Sequence, residues 1–181
     1  MYELRALRPI KEGEEICITY VNNLRARSVR QEHLQSSYIF ACECSACSIP
    51  PSEIPRSDMR RALLAFIRMK DNANDDFMLT AWCENTSLPD DHVISYTMKF
   101  VTVLEEERLI QEDILKMYYS RLTKAYCALK DAKNAKLWAK RTALMVTATD
   151  GDEMGLGWHK VADSPESTDW WGRRKRRLSC S

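Results

Sequence analysis

Three cysteines within six residues, Cys42-Glu43-Cys44-Ser45-Ala46-Cys47, restrict this 181-residue chain more than any other feature. A Cys-x-Cys-x-x-Cys spacing lets three thiols face one point, and thiolates are the preferred soft ligands of tetrahedral Zn2+. A disulfide framework suits the pattern less well. Three clustered cysteines cannot pair evenly, and the N-terminus has charges where a secretion signal needs an apolar run. Unliganded core cysteines are the other alternative; that account fits Cys83 and Cys127, on apolar helix faces, but not three cysteines in a polar loop. Metal is therefore expected at Cys42, Cys44 and Cys47. A closed structural site takes four ligands, so Cys17, His33 or a residue from outside the chain is expected to complete it.

Upstream of the cluster the chain alternates. Tyr2, Leu4 and Ala6 form one such run, and Ile16, Ile18 and Tyr20 another after a Pro/Gly turn at Pro9–Gly13, which predicts two short strands. Arg25 to Ser37 is polar and proline-free and reads as a surface helix leading into Tyr38-Ile39-Phe40-Ala41. Downstream, Pro50, Pro51 and Pro55 mark a linker over 49–57, because proline removes amide donors and pushes its predecessor out of helical geometry.

Beyond the linker, residues 58–150 read as helices. The stripes are Met59, Leu63, Phe66 and Ile67, capped by Ser57; Met78, Leu79, Trp82 and Cys83; and Ile94, Thr97, Met98, Val101 and Leu104. Two more follow, at Leu115, Tyr119, Leu122, Tyr126 and Leu129, and at Ala135, Trp138, Ala139, Thr142 and Met145. Short connections imply an antiparallel array, and Tyr119, Leu122, Tyr126 and Ala135 fit the template of one tetratricopeptide-like helix pair. From Gly151 the periodicity fades, and residues 151–181 read as a tail.

Composition narrows the function classes. Glycine occurs only 5 times, about 3% against a usual 7%, which disfavours a turn-rich β fold. Gly155-Leu156-Gly157 lacks the third glycine and the Lys-Ser/Thr pair of a phosphate-cradling loop. No apolar run approaches the ~18 residues that cross a bilayer. Of the 27 basic residues, five form the run Arg173-Arg174-Lys175-Arg176-Arg177; the remaining 22 face 26 acidic residues, leaving the body at −4. A duplex-binding body is disfavoured, because phosphate neutralisation needs a positive face. The run itself has three readings: a nuclear import signal, a nucleic-acid contact or a solvated tail.

Gly13-Glu14-Glu15-Ile16-Cys17-Ile18-Thr19-Tyr20, then a polar helix, then Tyr38-x-Phe40-x-Cys42-x-Cys44-x-x-Cys47 resembles the end of a SET domain with its post-SET zinc segment. The linker and helical region that follow are similar to the SET-and-MYND (SMYD) type of protein-lysine methyltransferase and its fungal relatives. The resemblance covers residues 1–48 closely and 58–149 in helical character and order only. It implies a mainly α fold with a small β remnant: the C-terminal remnant of a SET domain, with a partial β-hairpin, over 1–41, a post-SET cysteine segment over 42–48, and the antiparallel helical array. It further implies S-adenosylmethionine-dependent methylation of a protein lysine, on a histone or a cytosolic protein, with residence in nucleus, cytoplasm or both.

By that resemblance Tyr20 and Tyr38 line the lysine channel as catalytic residues, Phe40 packs on the cofactor adenine, and Cys42, Cys44 and Cys47 ligate zinc as three of four ligands. From the residues alone, Tyr20 is equally a half-buried strand residue, and Tyr38 and Phe40 are anchors for the loop. The sequence lacks the family's glycine-containing cofactor loop and its Asn-His-x-Cys segment, whose cysteine is the fourth zinc ligand. The expectation is half an active site, inactive by itself. The alternative function is a helical, tetratricopeptide-like module that binds a protein partner beside a structural zinc loop.

Overall fold

The computed structural model describes residues 5–16, 18–71 and 75–174. It is mainly helical. The helices are α1 (Arg27–Tyr38), α2 (Ile54–Asp71), α3 (Asp75–Glu84), α4 (His92–Glu106), α5 (Glu112–Ala128), α6 (Ala132–Asp150) and α7 (Asp152–Asp163), with single 3-10 turns at Pro51–Glu53 and Pro165–Ser167. None is long and apolar enough to cross a membrane.

Two compact units share these elements. One comprises Ile10–Asp71 with Thr102–Leu109; the other comprises the described residues of Met1–Pro9, Asn72–Val101 and Ile110–Ser181. In the second, α5 and α6 form a helical hairpin, and α7 packs on α6. Asp131 caps α6 by accepting from the Asn134 amide at 3.0 Å, and Glu112 and Asp113 place negative charge at the start of α5, where the helix dipole favours it. Ala125, Ala128, Ala135, Ala139 and Ala143 are fully buried, and such small side chains let two helix backbones approach closely. Leu79, Trp82, Cys83 and Val93 complete this core, against which Trp170 packs. All five residues expected on the α6 stripe are buried.

A glycine-poor chain must still end its helices. Ile39, Arg108 and Lys130 take the left-handed conformation, with φ of 60°, 52° and 60°, where glycine is the usual occupant. After α5 the Asp131 amide bonds back to Tyr126 O at 2.9 Å, and after α4 the Leu109 amide bonds back to Leu104 O at 2.8 Å. Both are Schellman closures. Gly172 takes the same left-handed region at φ 66°, and a Cβ there would lie 2.5 Å from Lys130 Cε, so the lysine side chain would have to move aside.

The structure departs from expectation in four places. No strand occurs among the described residues: 5–16 and 18–24 run as turns and extended chain, while Tyr2, Leu4 and Cys17 lie outside them. Two short alternating runs supply a hairpin with no third strand and no covered face, and such hairpins are marginal in water. The helix expected from residue 58 begins at Ile54, so Ser57 sits inside it; Pro55 falls in the first turn, where its missing amide costs nothing. On that helix Met59, Leu63 and Phe66 are exposed (74%, 45% and 51%), whereas Leu64, Ile67 and Arg61 are buried.

The expected tail is the fourth. Residues 152–163 form α7, and Arg174, within the basic run, is only 2% exposed. Its guanidinium lies 4.6 Å from the Trp82 ring, pairs with Asp90 at 2.6 Å, and donates to the carbonyls of Trp82 and Leu88 at the end of α3 and just beyond. Lys175, Arg176 and Arg177 lie outside the described residues.

Candidate metal centre

The first unit builds its site on α1. This helix has no side-chain cap of its own at Ala26; instead Asp58, from α2, accepts from the Arg27 amide at 2.7 Å. One face of α1 then grips the cysteine loop. Arg27 Nε donates to Cys47 O at 2.6 Å, and Arg30 Nη2 donates to Ala46 O at 3.2 Å and to Cys47 Sγ at 3.8 Å. Gln31 clamps Cys42 from both sides, donating to its carbonyl at 2.7 Å and accepting from its amide at 3.0 Å. The loop closes on itself as well: the amides of Cys47 and Ser48 donate to Cys44 O at 2.8 and 2.9 Å.

The result is convergence. The Sγ atoms of Cys42, Cys44 and Cys47 all lie within 4.8 Å of one another, and among the described residues no other group of His, Cys, Asp or Glu gathers this way. Tetrahedral Zn2+ with Zn–S near 2.3 Å places its sulfurs about 3.8 Å apart, so the three sulfurs need to draw in by about an ångström at most. The residues fit the ion. The acidities of the thiols divide. Burial pushes the Cys42 thiol up to about 11, and the neighbouring Cys47 and Cys44 charges add to it. Burial also works against Cys44, but hydrogen bonds from Cys42, Ala46 and Cys47 outweigh it and bring that thiol below its ordinary value. Three adjacent thiolates repel; a divalent cation removes that obstacle. Of the expected fourth ligands, Cys17 lies outside the described residues, and His33 is exposed on α1 with its ring 6.1 Å from that of Tyr38, outside the sulfur group.

The three aromatic residues gather beside the loop. Tyr20 meets Tyr38 edge-on at 5.0 Å and Phe40 at 5.7 Å between ring centroids. Tyr38 and Phe40 both reach Tyr20 because the chain reverses at Ile39, a β-branched residue held at φ 60°. A cavity of about 520 Å3 lies here, lined by Tyr20, Phe40, Cys42, Arg30, Arg61 and Glu107 among others. Tyr20, Tyr38 and Phe40 remain 47%, 47% and 37% exposed.

Behind the loop is a charge cluster that sequence reading missed. Glu107, 7% exposed, accepts from Ser57 Oγ and Arg60 Nε, each at 2.6 Å, and pairs with Arg61 at 3.0 Å. Burial pushes the Glu107 carboxyl up, yet Ser57, Arg60 and Arg61 outweigh burial and hold it below the usual carboxylate value. Burial and the neighbouring Arg30 charge press the Arg61 guanidinium toward losing its proton, opposed by Glu107 and Cys47. For the α1 residues that grip the loop the sequence signal was slight: Arg27, Arg30 and Gln31 recur at spacings of three and four, on a helix read as a surface helix.

Known proteins match part of this chain. Histone-lysine N-methyltransferase set5 of Schizosaccharomyces pombe is 39% identical over 64 residues, which is 35% of this chain and 20% of that protein. N-lysine methyltransferase SMYD2 of Homo sapiens is 34% identical over 59 residues, 33% of this chain and 14% of the relative. Over those stretches the chain is similar to SET-domain lysine methyltransferases. Histone-lysine N-methyltransferase SET5 of Saccharomyces cerevisiae adds 46% identity over 44 residues, 24% of this chain and 8% of the relative. The chain thus spans a fifth or less of the length of these SET- and SMYD-like relatives. No family model and no solved structure matches.

Proposed function

We propose that these residues form the zinc-loop wall of a SET-type protein-lysine N-methyltransferase. The supporting observation is the meeting, in one compact unit, of the Cys42, Cys44 and Cys47 sulfurs with the edge-packed rings of Tyr20, Tyr38 and Phe40. Zinc held by the three cysteines would fix the loop to α1 and hold Phe40 in place. S-adenosylmethionine, when bound, supplies an electrophilic methyl group. Tyr20 and Tyr38 would orient the lysine amine: a positioned amine gains rate mainly through orientation, and the Tyr20 hydroxyl would fix that position. The Phe40 ring offers an apolar face to the cofactor base.

Methyl transfer also needs water excluded, and aromatic residues 37–47% exposed do not exclude it. The 181-residue polypeptide therefore supplies one wall, and methylates nothing unaided. The test is metal analysis of the purified chain beside calorimetric titration with S-adenosylmethionine. One equivalent of zinc without cofactor binding is expected. A cobalt-loaded chain with no thiolate-to-metal charge-transfer band would overturn the assignment, because the cysteines would then hold no ion.

A further inference from the structure

Arg30 is 3% exposed. A buried guanidinium ordinarily has a carboxylate, but among the described residues Arg30 has none: its partners are the carbonyls of Arg25 and Ala46 and the sulfur of Cys47. The carboxylates lining the same cavity are Glu15, which is exposed, and Glu107, which Ser57, Arg60 and Arg61 already engage. Around the cysteine loop the chain has thus buried Arg30 and Arg61 against the single buried acid Glu107, which it shares with half-buried Arg60, itself also paired with exposed Glu106. A fold that buries this much positive charge requires a negative group nearby. Three thiolates on one divalent cation carry a net charge of about −1, and Arg30 already touches one of the sulfurs.

We propose that Arg30 is the counter-charge of the metal–thiolate centre. It holds Cys47 Sγ in place and neutralises part of the charge that the cysteines bring to the ion, so the affinity of the loop for metal depends on the charge of a residue that ligates nothing. Arg30 is a positioning residue. The inference rests on the zinc-loop reading, and Gln31 and Arg27 assist it only by gripping the backbone of Cys42 and Cys47.

The test separates charge from shape. The full 181-residue chain is compared with Arg30→Gln, which keeps hydrogen bonding to Ala46 without charge, and Arg30→Lys, which keeps the charge without the fork. Zinc affinity is measured by competition with a chromophoric chelator, the cobalt charge-transfer band is recorded, and far-UV circular dichroism checks that the helices persist. Outer-shell changes usually cost 10- to 100-fold in metal affinity. That loss, with a shifted cobalt band, is expected for Arg30→Gln, and recovery to within a few fold for Arg30→Lys. Equal affinity for both variants overturns the counter-charge role, as does loss of helicity in both. In either case a wild-type chain that binds one zinc, and a Cys47→Ser variant that does not, leave the zinc loop standing. A wild type that takes up no zinc overturns the zinc loop and the Arg30 proposal together.

Discussion

Glu107→Ala removes the one buried acid of the cluster and leaves its cations in place. In the native structure the carboxylate accepts from Ser57 Oγ and Arg60 Nε at 2.6 Å and pairs with Arg61 at 3.0 Å. The Arg60 side chain is 22% exposed and recovers part of its hydration when the acid goes. Arg61, whose side chain is 1% exposed, cannot. It retains Ser57 Oγ and Asn23 O as acceptors, neither of them charged. Breaking a buried pair from one side costs ~3–5 kcal/mol, and one stranded guanidinium places this variant in that range. Glu107→Gln keeps the shape and an acceptor oxygen, and about half that loss is expected. Native-state hydrogen exchange read on α2 measures the effect where it arises. All five tryptophans lie outside Ile10–Asp71 and Thr102–Leu109, so fluorescence reports the other unit as an internal control. The pH dependence follows from the depressed carboxyl. Its folded value lies below the ordinary 4.5, so its stabilisation is fully present above 4.5 and is lost as pH falls through the folded value. Wild-type α2 should lose protection in that acid window, and the alanine variant should not show the same step. An alanine variant that loses less than ~1 kcal/mol of α2 protection would refute the claim that Arg61 depends on this acid.

Other changes follow from the same contacts. Arg174→Met strands the carbonyls of Trp82 and Leu88 and frees Asp90, so urea unfolding followed by tryptophan fluorescence should show a loss of ~2–4 kcal/mol. Gln31→Ala removes both hydrogen bonds to the Cys42 backbone and should weaken zinc about 10-fold in chelator competition, with α5 and α6 untouched. Gly155→Ala drives a Cβ into the Thr147 hydroxyl and to 3.0 Å from its Cβ, which should cost ~1–3 kcal/mol of thermal stability by forcing α7 off α6. Ile39→Gly relieves a β-branched residue at φ 60° whose side chain is 83% exposed, and should stabilise the loop unit by ~0.5–1 kcal/mol in a denaturant titration.

The longer helices α4, α5 and α6 were legible because their apolar residues recur at helical spacing over about three or more turns. The α6 stripe, from Ala135 to Met145, was right at every position. The second expected strand was not legible correctly, because alternation specifies a face only where something covers it. Ile16 and Ile18, 77% and 64% exposed, have nothing packed over them. The end of the chain failed for a different reason. Trp170 and Arg174 are held by partners 46 to 92 positions away, at Lys124 and Trp82, and no local pattern announces a contact of that range.

At the site, residue type carried the argument. The six expected residues come together in one unit: the spacing of Cys42, Cys44 and Cys47 lets the three sulfurs converge, and the left-handed turn at Ile39 lets Tyr38 and Phe40 both reach Tyr20. Helix α2 explains why the rest stayed hidden. Residues 59, 63 and 66 lie on the face opposite 57, 61 and 64, so periodicity located the axis of the helix correctly and inverted it. Hydrophobicity would turn Met59, Leu63 and Phe66 inward; the structure turns Ser57 and Arg61 inward instead. Burying Arg61 is tolerable only because Glu107 arrives from 46 residues downstream to pair with it, and a pairing set by tertiary contact outweighs the local pattern. The face that sequence reading assigns to solvent is therefore the face that carries charge toward the cysteine loop, where the proposed metal–thiolate centre would give that charge a use.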